Sequence, residues 1–376
     1  MVLRGRRAQQ FYGYIVDDVF YDNKMRALAA ARGDPARIRL YFCDDEWSNV
    51  DWTKEPPQSI KDLIDIRCRQ LRDSFKHVSL FFSSGYDSVT ILNSFLRNNL
   101  VIDRLIVWDR SWVHDVMKPE IDHALMIAKN LKNSCWPHLE ITHWKMDPKY
   151  VENFYLAHRN NWIEHASDHM GVQKGIRNFQ FESAREIFGL HEKKDHVVLE
   201  GKCKPRLDFK DGKWYAMMND KVLRASMHNG AEQFYYSPHF PELYVKQCHR
   251  AIDWLEKNFY VSHKSLHEFM SFKVTPEIYQ RYNIEAMERD PVPHHTGGAG
   301  GTNKFIDENG ILSIESQRCQ AAMGDDAVKI WQDGINEVKL SFSKAWDSKK
   351  NGLRSIISNR HYMRDFRIPS NSNLKN

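Results

Sequence analysis

Short apolar runs alternate with amphipathic stretches between residues 59 and 201, and this alternation predicts the fold class. Four runs have the length and residue pattern of strands: 77–82, 100–108, 139–144 and 196–201. The stretches around them show helical spacing or helix signals: 59–75, 89–98, 119–132, 148–159 and 179–190. Buried strands alternating with helices predict an α/β fold, a parallel sheet with helices on both faces.

Polar residues follow the carboxyl ends of these predicted strands. Residues 83–88 follow the first strand, Asp109 ends the second, and Gly201 begins the turn after the fourth. Parallel α/β sheets bind ligands at this edge. We therefore expect these three features to converge on one rim of the sheet.

The turn at residues 83–88 has the composition of a phosphate site. It reads Ser83-Ser84-Gly85-Tyr86-Asp87-Ser88, between a strand and a helix. Glycine lets the backbone approach a ligand, and the N–H groups of a first helical turn attract an anion. Asp87 repels phosphate directly, which indicates a divalent cation between them. A plain helix cap is the alternative, but a cap does not require three hydroxyls with a glycine.

Pattern changes on both sides of this unit divide the chain into three regions. Residues 1–57 form a short β-rich extension that ends at a Pro-Pro break. Residues 58–241 form the α/β domain, with an inserted β-meander at 207–226 that turns at Asp211-Gly212. Residues 242–376 are expected to be a helical C-terminal region. Its helical patterns cover 242–259, 276–289 and 324–350.

Composition and charge narrow the classes of function only slightly. A net charge of +5 over 376 residues permits contact with nucleic acid or acidic ligands without requiring it. Six scattered cysteines without a Cys-x-x-Cys pair favour reduced thiols in the cytoplasm over a disulfide framework or a zinc site. The N-terminus lacks an apolar signal core, and no stretch approaches the length of a membrane span.

The cluster at residues 83–88 resembles the signature of the PP-loop ATP pyrophosphatases, Ser-Gly-Gly-x-Asp-Ser after the first strand of the sheet. Ser84 replaces the first glycine of that signature. Within this group the chain is most similar to the synthetase domain of asparagine synthetase and its relatives, where a helix like 59–75 leads into the signature strand. The resemblance covers roughly residues 57–206 and implies the adenine nucleotide alpha hydrolase-like fold.

This resemblance implies an AMP- and pyrophosphate-forming carbon–nitrogen ligase that uses ATP and Mg²⁺. A substrate carboxylate or amide would be adenylated, and an amine or ammonia would then displace AMP. Asp87 is expected to hold the metal ion. The residues expected to bind the nucleotide are Ser83, Ser84, Gly85, Tyr86, Asp87, Ser88, Trp108, Asp109 and Gly201.

The chain departs from those relatives after the last predicted strand. Their turn reads Gly-x-Gly-x-Asp-Glu, whereas here it reads Gly201-Lys202-Cys203-Lys204-Pro205-Arg206. We expect Lys202, Lys204 and Arg206 to act with Asp87 in catalysis, by neutralising phosphate or meeting an acidic substrate. The exchange of acids for bases also indicates a substrate other than simple aspartate. A solvated basic turn is the alternative.

The N-terminal extension has a fainter likeness to the glutaminase domain that precedes those synthetases. Residues 32–42 resemble its Arg-Asp-x-x-Gly-x-x-Pro-Leu-Tyr-Tyr stretch, but Val2 stands where the nucleophilic cysteine is expected. Residues 1–57 are therefore either a remnant unable to hydrolyse glutamine or a plain β-rich extension. The nitrogen donor would then be ammonia from solution or from a partner, or another amine.

Two other functions stay open. One is a PP-loop enzyme that modifies a nucleobase in nucleic acid or a free nucleotide, and the other is a non-catalytic nucleotide-binding protein. His165 and His169 have metal-binding spacing without an evident third ligand, so an ordinary helix face is favoured. The glycine-rich loop at 294–302 matches neither the Walker nor the dinucleotide pattern, which favours a surface loop over an active-site lid.

Overall fold

A five-stranded parallel sheet organises the chain in the computed structural model. The structure describes residues 12–21, 23–109, 111, 118–145, 147–165, 195–201, 205–218, 220, 231–258, 276–292, 320–347 and 352–366. With strands numbered along the chain, the sheet contains β4 (His77–Phe81), β5 (Arg104–Asp109), β6 (Glu140–Lys145), β7 (His196–Glu200) and β10 (Ala231–Gln233). Their order in space is β10-β7-β4-β5-β6, and every neighbouring pair is parallel. The predicted α/β class with a parallel sheet is confirmed.

The direction of the strand order reverses between β4 and β7. The chain passes from β4 to β5 and β6 on one side, and then places β7 and β10 on the other side of β4. Such a reversal creates a crevice at the carboxyl ends of the two diverging strands, where open α/β sheets bind their ligands. Residues 83–88 follow β4 closely and lie at this crevice.

Helices flank the sheet and bury the apolar positions that the sequence pattern predicts. The helix of residues 60–74 begins at a capping box between Ser59 and Asp62, and it buries Leu63, Ile64 and Leu71 on one face. The predicted helices at 59–75, 89–98, 119–132 and 148–159 are confirmed with boundaries shifted by a few residues. The helices are α1 (Lys24–Ala30), α2 (Asp44–Ser48), α3 (Ile60–Ser74), α4 (Tyr86–Arg97), α5 (Lys118–Ser134), α6 (Pro148–Ala157), α7 (Trp162–His165), α8 (Pro241–Asn258), α9 (Pro276–Arg281), which a π-helical turn (Tyr282–Ala286) follows, and α10 (Asp325–Ser341).

The N-terminal extension forms its own antiparallel sheet and packs on later parts of the chain. In this sheet β1 (Tyr12–Val16) lies between β2 (Val19–Tyr21) and β3 (Arg39–Phe42). Lys24 and Asp220 form an ion pair at 2.7 Å with both side chains fully buried. Lys24 Nζ also donates to the Arg354 carbonyl at 2.7 Å. These buried contacts tie the extension to distant segments of the chain.

Two expectations about the later chain need correction. The hairpin of β8 (Arg206–Lys210) and β9 (Lys213–Met217) turns at Asp211 and Gly212 as predicted, but β13 (His361–Asp365) completes its sheet. The described part of the meander expected at 207–226 is therefore a hairpin joined by a strand from a distant part of the chain. The C-terminal region 242–376 is not wholly helical, because β11 (Trp346–Asp347), β12 (Gly352–Leu353) and β13 follow α10. Strands this short depend on tertiary pairing, which local propensity does not encode.

Several predicted features lie outside the described residues. They are the helix at 179–190, His169, the turn residues 202–204 and the glycine-rich loop at 294–302. None of the helices in the described part of the chain combines the length and apolarity that crossing a membrane needs.

Candidate functional site

Residues 83–88, which we call the cradle turn, lie at the crevice between β4 and β7 and lead into α4. The Phe82 N–H donates to the Ile106 carbonyl at 2.9 Å, so the ladder with β5 continues to the start of the turn. Gly85 occupies the N-cap position of α4 and supplies no side-chain cap to the first helical turn. The positive end of the helix dipole therefore lies at the crevice, in the arrangement that binds anions in other proteins.

Ser83 and Ser88 place two hydroxyls at this helix start. Their Oγ atoms lie 3.4 Å apart, and Ser88 Oγ accepts the Ser83 N–H at 3.3 Å while donating to the Gly85 carbonyl at 3.2 Å. The Gly85 N–H in turn donates to Ser83 Oγ at 3.4 Å. Ser83 is exposed and Ser88 is buried, so a hydrogen-bonded frame presents one hydroxyl to solvent.

Ser84 and Tyr86, both expected to bind the nucleotide, have buried side chains. Ser84 has a φ of 54°, in the left-handed region that glycine adopts easily, and its Oγ donates to the Glu120 carbonyl at 3.0 Å. The Tyr86 ring meets the Tyr279 ring edge-on, with the centroids 6.4 Å apart. Both residues therefore offer a ligand their backbone rather than their side chains.

Asp87 is paired with a buried arginine that sequence reasoning missed. Arg289 Nε donates to Asp87 Oδ1 at 2.7 Å, and the Arg289 side chain is 0% exposed. The other guanidinium nitrogens donate to the Met287 carbonyl at 2.9 Å and to Gln247 Oε1 at 2.8 Å. The guanidinium also lies over the Tyr235 ring, 3.9 Å from its centroid. Arg289 thus brings a fixed positive charge to the cradle turn.

Residues near Arg289 in space or in sequence form hydrogen bonds with α4. The Asp290 N–H donates to Thr90 Oγ1 at 2.9 Å, and Asn93 Nδ2 donates to the Asp290 carboxylate at 3.1 Å. The Tyr235 hydroxyl donates to the Asp87 carbonyl at 2.9 Å. Burial raises the pKa of that hydroxyl above its ordinary value, so Tyr235 acts as a neutral donor.

Gly201 packs directly against the first turn of α4. A Cβ atom at this position would lie 2.8 Å from Ile91 Cδ1 and 3.4 Å from both the Asp87 carbonyl carbon and Ser88 N. Only a residue without a side chain fits this approach without movement of its neighbours. The structure therefore brings the end of β7 and the cradle turn together on one rim.

The basic turn after Gly201 is described only at its end. Lys202 and Lys204 lie outside the described residues. Arg206 opens β8 and is partly exposed, and its N–H donates to the Tyr244 hydroxyl at 3.1 Å. Its backbone is thus anchored to α8.

Asp109 ends β5 on the same edge of the sheet, and both of its carboxylate oxygens have partners. Ser111 donates to Oδ1 from its N–H at 2.9 Å and from its hydroxyl at 2.7 Å, and His143 Nε2 lies 2.6 Å from Oδ2. Partial burial acts to raise the pKa of Asp109, but the hydrogen bonds from Ser111 and His143 outweigh it and hold the pKa below its ordinary value. Asp109 is an oriented, ionised carboxylate. Trp108 beside it is partly buried against the core.

The oxygen atoms at the cradle turn suit a Mg²⁺ ion whose remaining ligands would come from phosphate and water. In the described residues, no group of three or more His, Cys, Asp or Glu side chains is gathered that could hold a metal ion. Proteins commonly give Mg²⁺ one or two carboxylates and leave the other positions to substrate phosphates and water. Asp87 and the neighbouring hydroxyls match the protein's share of such a site.

Comparisons with known proteins assign no family to this chain. No protein-family model matches it, and no curated protein matches it either. Any assignment of function therefore depends on the fold, the cradle turn and the residues packed around them.

Proposed function

We propose that the chain is an ATP-dependent synthetase that cleaves ATP between the α- and β-phosphates and forms an amide through an adenylate. The observation that carries this proposal is the position of the cradle turn, at the start of a helix without a side-chain cap and at the reversal point of a parallel sheet. The resemblance of the turn to the PP-loop signature supports the same proposal, and with it the adenine nucleotide alpha hydrolase-like form of the fold.

In this proposal the pyrophosphate part of ATP lies at the cradle turn. The hydroxyl of Ser83 and the backbone of the first turn of α4 would supply hydrogen bonds to its oxygens, while the buried Ser88 hydroxyl would hold the Ser83 backbone in place. Mg²⁺ bound by Asp87 and the phosphates would offset the charge that develops on the leaving group. Adenosine would lie beside Trp108 and Asp109, because β5 flanks β4 at the same edge of the sheet.

The proposed chemistry has two steps. A substrate carboxylate or amide oxygen attacks the α-phosphorus, and the bond from that phosphorus to the bridging oxygen breaks and releases pyrophosphate. An amine or ammonia then attacks the activated carbon, loses a proton and displaces AMP, which gives an amide from a carboxylate substrate and an amidine from an amide substrate. Arg206, with Lys202 and Lys204, follows β7 on the other flank of β4, where positive charge would favour an anionic substrate. The described cysteines are free thiols, which supports a cytoplasmic location for this enzyme.

Asp87→Asn is the sharpest test of this proposal, because asparagine keeps an oxygen for Arg289 Nε while it removes the charge. The protein is incubated with ATP, Mg²⁺, a panel of carboxylic acids and hydroxylamine as the amine, and AMP and pyrophosphate are quantified. We expect the wild type to form both products in equal amounts, and Asp87→Asn to lose about 100-fold or more of that rate. Asp65→Asn is the matched control. Asp65 of α3 pairs with Arg97 of α4, the helix that also contains Asp87, and its replacement should leave the rate unchanged.

The other outcomes of this experiment separate the alternatives. Release of ADP instead of AMP would contradict the proposed cleavage. ATP binding without turnover across the whole panel would favour a non-catalytic nucleotide-binding protein. Pyrophosphate release that depends on added RNA, DNA or a free nucleotide would favour an enzyme that modifies a nucleobase.

A further inference from the structure

The pairing of Asp87 with Arg289 bears on how a metal ion reaches the cradle turn. An arginine side chain cannot lose its proton in a protein, and Arg289 is fully buried. A buried charge without an opposite charge is strongly destabilising. Within the described residues, Asp87 is the carboxylate that pairs with Arg289. Asp87 therefore stabilises the buried charge of Arg289, and separating the two side chains would be unfavourable.

This ion pair competes with a divalent cation for Asp87. Two of the three remaining contacts of the guanidinium, the Met287 carbonyl and Gln247 Oε1, are uncharged hydrogen-bond acceptors, and the third is the Tyr235 ring. A metal ion at Asp87 would lie close to a fixed positive charge and would weaken the attraction on which that charge depends. A carboxylate already neutralised by a guanidinium offers Mg²⁺ little to offset the loss of its hydration shell.

Phosphate changes this balance. Its oxygens bring negative charge and further ligands, which attract the metal ion without requiring Asp87 to leave Arg289. The neutralised Asp87 also repels an approaching phosphate less than a bare carboxylate would.

We propose that Arg289 is a positioning residue that neutralises Asp87 in the free protein, so that the cradle turn takes up a divalent cation only together with phosphate. This inference rests on the proposed role of the cradle turn as a pyrophosphate site. It specifies the order of binding: the metal ion binds together with the nucleotide and not before it.

Mn²⁺ binding measured by electron paramagnetic resonance tests the inference without any turnover. Wild-type protein titrated with Mn²⁺ alone should show no saturable site in the micromolar range, and inorganic pyrophosphate should create one. Arg289→Gln should bind Mn²⁺ without pyrophosphate at least about tenfold more tightly than the wild type. Arg289→Lys keeps the charge and should stay close to the wild type. Arg97→Gln is the matched control. It removes the α4 arginine that pairs with Asp65 of α3, and we expect no change in Mn²⁺ binding.

The wild-type titrations decide the matter even if Arg289→Gln fails to fold. Tight Mn²⁺ binding by the wild type without pyrophosphate would overturn the inference, as would a failure of pyrophosphate to create a site. A folded Arg289→Gln protein that binds Mn²⁺ no better than the wild type would overturn it as well. The proposed function fails by a different result, the absence of AMP and pyrophosphate formation, which the Mn²⁺ titrations do not measure.

Discussion

Replacing Ser84 by glycine and by alanine separates two contributions to the stability of the cradle turn, the backbone conformation at position 84 and the hydrogen bond of the Ser84 hydroxyl. Ser84 is 4% exposed, has a φ of 54°, and donates from Oγ to the Glu120 carbonyl at 3.0 Å. The backbone conformation is one that glycine adopts freely, while the hydroxyl ties the turn to α5. The two substitutions remove the same hydrogen bond, but only glycine also relieves the backbone.

The expected energies follow from these two contributions. Alanine keeps the left-handed backbone and loses the hydrogen bond, which should destabilise the protein by about 1 kcal/mol. Glycine loses the same bond but relieves roughly 1–2 kcal/mol of left-handed strain. The greater freedom of glycine in the unfolded chain opposes this gain by about 0.4–1 kcal/mol. Ser84→Gly should therefore be more stable than Ser84→Ala by about 0.8 kcal/mol, the difference between the midpoints of these two ranges.

Urea unfolding followed by tryptophan fluorescence measures this difference, provided that the slope against urea is the same for both variants. Ser83 is the matched control, because it precedes Ser84 and lies outside the left-handed region. At position 83 the order should reverse, with Ser83→Gly less stable than Ser83→Ala. If Ser84→Ala is as stable as Ser84→Gly, or if both positions show the same order, the strain argument is refuted.

Two further predictions concern the packing of the N-terminal extension. Lys24→Met should lower the free energy of unfolding by about 3 kcal/mol or more in urea, because it leaves the fully buried Asp220 carboxylate without its cation. His361→Phe should make the protein less sensitive to acid. Burial lowers the pKa of His361 below its ordinary value of 6.5 in the folded state. As the pH falls below 6.5, the unfolded chain therefore takes up a proton on this ring while the folded protein holds the ring neutral, and stability is lost. Phenylalanine keeps a ring to stack on Trp52, where the two rings now lie 4.3 Å apart, so the loss of stability between about pH 7 and pH 5 should be shallower in the variant.

Each of these predictions has its own check. Arg37→Met removes one side of the ion pair with Asp17, whose side chain is 67% exposed, and should cost less than about 1 kcal/mol. Equal losses for Lys24→Met and Arg37→Met would contradict the burial argument. For His361→Phe, the stability difference from the wild type should stay constant above about pH 7, where the ring is neutral in both states. Parallel curves down to about pH 5 would show that His361 does not contribute to acid sensitivity.

The central sheet could be predicted because its signals are local. The runs at 77–82 and 196–201 are short and mostly apolar, and the capping box at Ser59 marks the start of α3 within a few residues of sequence. Parallel sheets carry their ligands at one edge, so the meeting of Gly201 with the cradle turn also followed from the order of elements. Each of these inferences needs only a short window and a general rule.

The remaining structure could not be predicted because its determinants are distant in sequence. β13 pairs with β9 from the far end of the chain, and its five residues carry no signal that names a partner. Arg289 lies 202 positions from Asp87, in a charged run before a proline that is typical of a solvated helix end. Only tertiary packing shows that this arginine is buried.

The net charge at the cradle turn is therefore not a property of its motif alone. Within residues 83–88, Asp87 is the single charged side chain, and taken alone it requires a cation before phosphate can bind. The structure supplies that cation from Arg289, held in place by Gln247 of α8 and by the ring of Tyr235. A change anywhere in this support alters the electrostatic potential at the cradle turn without altering the turn itself. Residues far along the chain thus contribute to the charge at a turn whose own motif occupies only positions 83–88.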